Sequence, residues 1–165
     1  MDTIFIRRAT EQDIDALMSL YDEFHRFHVL GVPDRLRTSD PSTPTGQAAL
    51  SDALSAILHR EDAAMFVALV GDHVAGLAEV YVRQDEPHPL IVPHRYGHLQ
   101  SLFVSASFRK HGLGKLLVEA VHHWAKEQGA TEMQLDMWEF EEGPLHFYEH
   151  LGYHTLKRHL IIDLG

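Results

Sequence analysis

Residues 108–115 read FRKHGLGK, with two glycines and three permanent cations in eight positions. Before them lies a strand-like run, HLQSLFV (98–104). After them Leu113, Leu116, Leu117, Ala120, Val121 and Trp124 recur at helical spacing. A strand that passes into a helix through glycines leaves the first helical amides bare, and bare amides at the positive end of a helix dipole hold anions. Arg109, Lys110 and Lys115 point the same way, because the chain as a whole has a formal net charge of −10. A P-loop would need Gly in place of Arg109 and Ser or Thr in place of Leu116. A dinucleotide fingerprint would need a third Gly in place of Leu117. Both fail. A strand, a turn and R-x-x-G-x-G opening a helix does fit, with Gly112 and Gly114 letting the backbone approach a pyrophosphate. A plain glycine-rich turn with solvated cations stays open on these residues alone.

The remaining segments predict how this junction is housed. TIFIRRA (3–9) reads as a strand. Thr10 and Asp13 form a capping box, and Ile14, Leu17, Met18, Tyr21 and Phe24 then recur along a helix. Gly31–Gly46, with Pro33, Pro41 and Pro44, reads as a loop, and Gln47–His59 as a helix. AMFVALV (64–70) and HVAGLAEVYVR (73–83) are strands joined by the turn signal GDH. QDEPHPLIVPHRYG (84–97) is a proline-rich loop. The helix that opens at Gly112 ends near Gly129. EMQLDMW (132–138) is a strand, Gly143-Pro144 opens a short helix to about His150, stopped by Gly152, and YHTLKRHLIIDL (153–164) closes the chain as a strand. The order predicts an α/β fold of the α+β type: one domain over residues 1–165, with a mixed, largely antiparallel central sheet flanked by helices.

Composition excludes several functions. With no cysteine there is no disulfide, thiolate metal site or cysteine nucleophile. The acidic balance argues against nucleic acid as a partner. No apolar run is long enough to span a membrane, no signal-peptide pattern opens the sequence, and a cytoplasmic location is the expectation.

LQSLFVSASFRKHGLGKLLVEAV (99–121), LHFYEHLGY (145–153) and IRRATEQDIDALMSL (6–20) together resemble the GNAT superfamily of acetyl-CoA-dependent N-acetyltransferases. The resemblance spans essentially the whole chain. It implies a GNAT-like domain, acetyl-CoA as cosubstrate, no metal, and as partner a primary amine of a small molecule, amino acid or peptide. Dimers are common in this family, so a homodimer is a further partner it allows. Carried over by position, main-chain groups of Phe103 and Val104 would hold the pantetheine arm and polarise the thioester. The amides of Arg109, Lys110, His111, Gly112, Leu113, Gly114 and Lys115 would hold the pyrophosphate, and Tyr148 would sit near the sulfur. Glu141 stands where the family commonly has Asn, seven residues before Tyr148, and a carboxylate cannot donate the hydrogen bond an amide can. It is either an acid at a helix N-terminus or a selector of cationic amines.

Acetyl transfer to an amine needs a proton acceptor, donors for the developing oxyanion and an acid for the thiolate. Tyr148 is the candidate acid. His98, Glu79 and a water chain are the candidate bases. Two other functions compete: a noncatalytic acyl-CoA-binding module, and zinc hydrolysis on His146, Glu149 and His150, which spell H-x-x-E-H.

Overall fold

A computed structural model describes residues 2–38 and 44–165. Its centre is one five-stranded sheet in the order β1-β2-β3-β4-β5. The strands are β1 (Ile4–Arg8), β2 (Ala63–Val70), β3 (His73–Gln84), β4 (Arg95–Val104) and β5 (Glu132–Gln134). The first four pair antiparallel, and β5 joins β4 in parallel. The helices are α1 (Ile14–Gly31), α2 (Pro44–Leu58), α3 (Leu113–Glu127) and α4 (Leu145–His150). The fold is therefore the expected α/β arrangement, a largely antiparallel sheet with helices on both faces.

The two faces can be read off β2, where side chains alternate with the two-residue period of a strand. Ala64, Phe66 and Ala68 point to α3, packing with Leu113, Leu117, Val121 and Trp124. Met65 and Val67 point to α1 and α2, packing with Ile14, Leu17, Leu20 and Leu54. In β4 the alternation breaks. Leu99 and Leu102, three apart, both belong to the α3 face, whereas Phe103 belongs to the α1 face. The register explains this: Glu79 opposes Ser101 and Val80 opposes Leu99, so Gln100 is an extra residue, a β-bulge.

The capping box at Thr10 forms, and a single turn of 3-10 helix (Glu11–Asp13) precedes α1. The Thr10 amide donates to the Asp13 carboxylate at 2.8 Å. The same carboxylate receives a bidentate pair from Arg7 at 2.7 and 2.9 Å, which ties β1 to the start of α1. Arg7 holds the Asp13 carboxyl below the usual carboxylate range.

Four expectations change. The loop expected over 84–97 is shorter, because β3 includes Gln84 and β4 begins at Arg95 rather than His98. The segment 31–46 is not all loop: α1 includes Gly31, and α2 begins at Pro44 rather than Gln47; residues 39–43 of that segment lie outside the described residues. The strand predicted over 132–138 ends at Gln134, where β5 parts from β4. No strand covers 153–164, and every residue from His154 to Gly165 is exposed. A strand exists only where a ladder partner exists, and the sheet of this chain ends at β5.

Candidate active site

The parting of β4 and β5 creates the site. They pair only from Tyr96↔Glu132 to His98↔Gln134. Beyond that point the two segments diverge, and β4 shows a wedge-shaped opening one edge of its backbone, while its other edge stays bonded to β3. A cavity of about 900 Å³ fills the wedge. Its walls include Leu99 to Val104 of β4, Leu135 to Trp138 beyond β5, Tyr21, Phe24 and Phe27 of α1, and Phe147 and Tyr148 of α4.

At the mouth lies the glycine stretch. Lys110 and Gly112 both have left-handed backbone, with φ of 66° and 77°. Gly112 caps α3, and no side chain caps that helix end. The amides of Leu113, Gly114 and Lys115 therefore lack helical partners, as the first turn of any helix does, and no acid stands in that turn. Gly112 has open space around it, since an added Cβ would meet nothing within 4 Å. Gly114 is different: a Cβ there would stand 3.1 Å from the Phe147 ring. Its lack of a side chain thus also serves the contact between α3 and α4, while Gly114 lines the cavity. Glu23 of α1 fixes the stretch from below, accepting from the Ser105 hydroxyl at 3.0 Å and the Ala106 amide at 3.0 Å.

Arg109 turns inward. Its Nε donates to the Val104 carbonyl at 3.1 Å, and its guanidinium lies over the rings of Phe27 (5.2 Å) and Phe103 (5.4 Å).

Deeper in, two tyrosines reach the cavity from opposite faces of the sheet. Tyr148 packs with the α3 face and is buried; burial, with the neighbouring Tyr153, raises its phenol well above the ordinary value. Tyr21 packs with the α1 face and donates to Glu79 Oε1 at 2.5 Å. Tyr81 donates to the other oxygen, Oε2, at 2.8 Å. Burial first, then the Glu79 charge, pushes Tyr21 up as well.

The other expected residues fall in different places. Phe103, Val104, Arg109, Lys110, Gly112, Leu113, Gly114, Lys115 and Tyr148 line the cavity. His111 is exposed beside it, its ring against the Phe108 carbonyl at 3.3 Å. Glu79 stands behind Tyr21 and does not touch the cavity. His98, opposite Tyr81 in the ladder, is buried outside the cavity wall, and burial followed by Arg83 lowers its pKa. Glu141 is exposed away from the wall; the carboxylate that lines it is Asp136. His146 and His150 are also exposed, and Nδ1 of His150 meets the His146 carbonyl at 2.6 Å. Among the described residues no three metal-ligating side chains converge. Sequence reasoning missed Tyr21, Glu23 and the Gln100 bulge. Tyr21 was visible only as an apolar-face position of α1, and its partner is 58 residues away.

Known proteins give the context. Over 85 residues the chain is 31% identical to an aminoglycoside N(6')-acetyltransferase type 1 of Salmonella typhimurium, a match covering 48% of this chain and 54% of the relative. Over 68 residues it is 34% identical to a glucosamine 6-phosphate N-acetyltransferase of Trypanosoma brucei brucei, covering 41% of this chain and 44% of the relative. The chain thus spans about half the length of the curated relatives it matches. Among solved structures, an aminoglycoside N-acetyltransferase AAC(6')-Iy in complex with CoA shares the fold, with a TM-score of 0.75 at 22% identity over 99% of this chain and 95% of that one. The family model for GNAT acetyltransferases matches residues 15–153, from within the first helix through the wedge to just past α4, and the chain belongs to the acetyltransferase (GNAT) family.

Proposed function

We propose that the chain transfers an acetyl group from acetyl-CoA to a primary amine of a small molecule, amino acid or peptide. One observation carries the reading: the uncapped start of α3, the free edge of β4 and Tyr148 all open onto a single cavity. Acetyl-CoA supplies an activated thioester. The amides from Arg109 to Lys115 hold its pyrophosphate, and main-chain groups of Phe103 and Val104 on the free edge hold the pantetheine arm. Open space at Gly112 supports this placement. Transfer forms a C–N bond and breaks a C–S bond, so the amine must lose a proton and the sulfur must gain one. Tyr148, kept neutral by burial, passes its proton to the leaving sulfur and takes one back from solvent through the cavity, while Glu79 returns the amine proton to solvent. On the other face Tyr21 accepts the amine proton as its own passes to Glu79, which already receives its hydrogen bond. This assigns proton acceptance to Glu79 through Tyr21 rather than to His98, which stands outside the cavity wall. Aminoglycosides and glucosamine 6-phosphate, named for the relatives, carry amines on sugar rings, so aminosugars are the first acceptors to try. A reaction that consumes acetyl-CoA suits a cytoplasmic setting.

The test is thiol release from acetyl-CoA across a panel of aminosugars, amino acids, diamines and peptides. The protein has no thiol of its own to interfere. Turnover is expected with at least one amine, and Glu79→Gln should lower kcat/KM about 10²-fold with CoA affinity unchanged. Acetyl-CoA binding without thiol release from any amine would leave a noncatalytic acyl-CoA module; absence of binding would overturn both readings.

A further inference from the structure

The Glu79 carboxylate carries a second hydroxyl that the transfer step leaves idle. Glu79 is buried, and its two oxygens have different partners: Oε1 receives Tyr21 and Oε2 receives Tyr81. Tyr21 stands on the cavity wall and Tyr81 does not. The second pairing follows from β3 itself, because residues two apart on a strand share a face. Across the ladder the register shifts after Glu79, so Glu79 opposes Ser101 while Tyr81 opposes His98. Ser101 in turn bonds Tyr21.

Two exposed cations hold the outer side of Tyr81. Arg60 stands over its ring at 5.1 Å and Arg83 at 5.6 Å. Arg60 is itself fixed by the Asp62 carboxylate through bonds of 2.8 and 2.7 Å, and the Asp62 carbonyl accepts from the Val82 amide at 2.8 Å. The turn between α2 and β2 thus grips the ring from the surface. Burial, then the bond to Glu79, raises the Tyr81 phenol above its ordinary value, while both arginines act against that rise. The hydroxyl therefore stays protonated, and the cations over the ring make it a better donor. This matters for a buried acid: a carboxylate stripped of a donor favours its protonated form. A protonated Glu79 has no charge with which to take the amine proton that Tyr21 passes on.

We propose that Tyr81 is a positioning residue for acetyl transfer: it anchors Oε2 of Glu79, which keeps the carboxylate ionised and Oε1 aligned on Tyr21, and Arg60 and Arg83 tune it from the surface. The inference rests on the acetyl-transfer reading, with Glu79 accepting through Tyr21. It extends the site to a shell outside the cavity, since Arg60, Tyr81 and Arg83 are all absent from its wall.

The pH profile of kcat/KM tests it, measured with acetyl-CoA and the fastest amine of the panel. Tyr81→Phe keeps the ring beneath the arginines and deletes only the hydroxyl. Losing a donor to the charged form makes Glu79 hold a proton to higher pH, so the acid limb should move up by about one pH unit, the worth of one hydrogen bond to a charged group. CoA affinity by calorimetry should not change. A purely structural role would lower the melting temperature and leave the limb in place, which would overturn the proposal. Arg60→Met, an exposed site, should move the limb the same way by less, and it decides the matter if Tyr81→Phe does not fold. His98, opposite Tyr81, is the neighbouring group that also titrates, and His98→Gln should leave the limb where it is. A limb that vanishes with His98 would overturn the assignment. An unmoved limb in Tyr81→Phe, while Glu79→Gln still lowers turnover, overturns the role of Tyr81 and leaves acetyl transfer standing. A wild-type chain that turns over no amine overturns acetyl transfer and this inference with it.

Discussion

Tyr148 shows how environment sets the role of one side chain. A phenol in water begins to ionise near pH 10; burial and the Tyr153 ring beside it hold this one neutral far beyond that. It is therefore a hydrogen donor at every working pH, facing a cavity rather than a protein acceptor. Tyr148→Phe keeps the ring and its packing on Phe147 and Tyr153. We expect kcat to fall at least about tenfold, with CoA affinity unchanged by calorimetry. Because the phenol does not ionise in the accessible range, the pH profile of kcat should keep its shape. A changed limb in the variant would assign the titration to Tyr148 after all. Its place at the cavity was legible from the sequence because it sits in a nine-residue run, LHFYEHLGY. Tyr21 was not, since a tyrosine on an apolar helix face looks the same whether its hydroxyl meets water or a buried carboxylate.

Elements build the site by where they separate as much as by where they meet. β4 and β5 share three residue pairs and then part, and no pattern in EMQLDMW announces the separation. Period-two alternation says that a segment can pair; it does not say with what. The same ambiguity explains YHTLKRHLIIDL, whose alternation is broken only at Arg158 and Ile161 but whose partner is absent from its own sheet. The bulge at Gln100 was equally hidden, because one extra residue changes facing without changing composition. The α3–α4 contact, by contrast, gives Gly114 a checkable meaning. Gly114→Val would press a branched side chain onto the Phe147 ring, where even a Cβ has 3.1 Å. Overpacking of this kind costs roughly 1–3 kcal/mol, or several degrees of melting temperature in a chain of this size. Displacing α4 should also lower kcat. Phe147→Leu in the same chain should recover part of both losses; if it recovers neither, the contact is not what the glycine serves.

Stability of the whole molecule should depend on pH at both extremes. Of the fourteen histidines, His98 and His122 have lowered pKa, each mainly through burial. The unfolded chain therefore takes up protons near the ordinary 6.5 that the folded chain refuses, so stability is full above that value and declines as pH falls below it. Asp13, depressed by Arg7, adds a second acid loss below its ordinary 3.8. Tyr21, Tyr81, Tyr148 and Tyr153, the last pushed up to about 12, act in the opposite direction. Their stability is full below about 10 and is lost as the unfolded chain ionises above it. Melting temperature should thus be flat between about pH 7 and 9.5 and fall on either side, as scanning calorimetry at fixed salt would show. His122→Gln should flatten the first step of the acid side. An unchanged slope there would remove His122 from the account.

The inward turn of Arg109 bears on rates. Its bond to the Val104 carbonyl and its place over Phe27 and Phe103 occupy the backbone edge and ring surface that an entering pantetheine would need. On the proposed placement of the cofactor, the guanidinium is a tethered competitor that each entering pantetheine must displace. Releasing one charged hydrogen bond and an exposed ring contact costs about 1–2 kcal/mol, roughly a tenfold slowing of entry. That cost falls on the association step, because once the arm is seated the side chain has no edge to return to. Arg109→Ala should therefore speed CoA association in stopped-flow measurements, and an unchanged association rate would show that the side chain already swings clear before the ligand arrives.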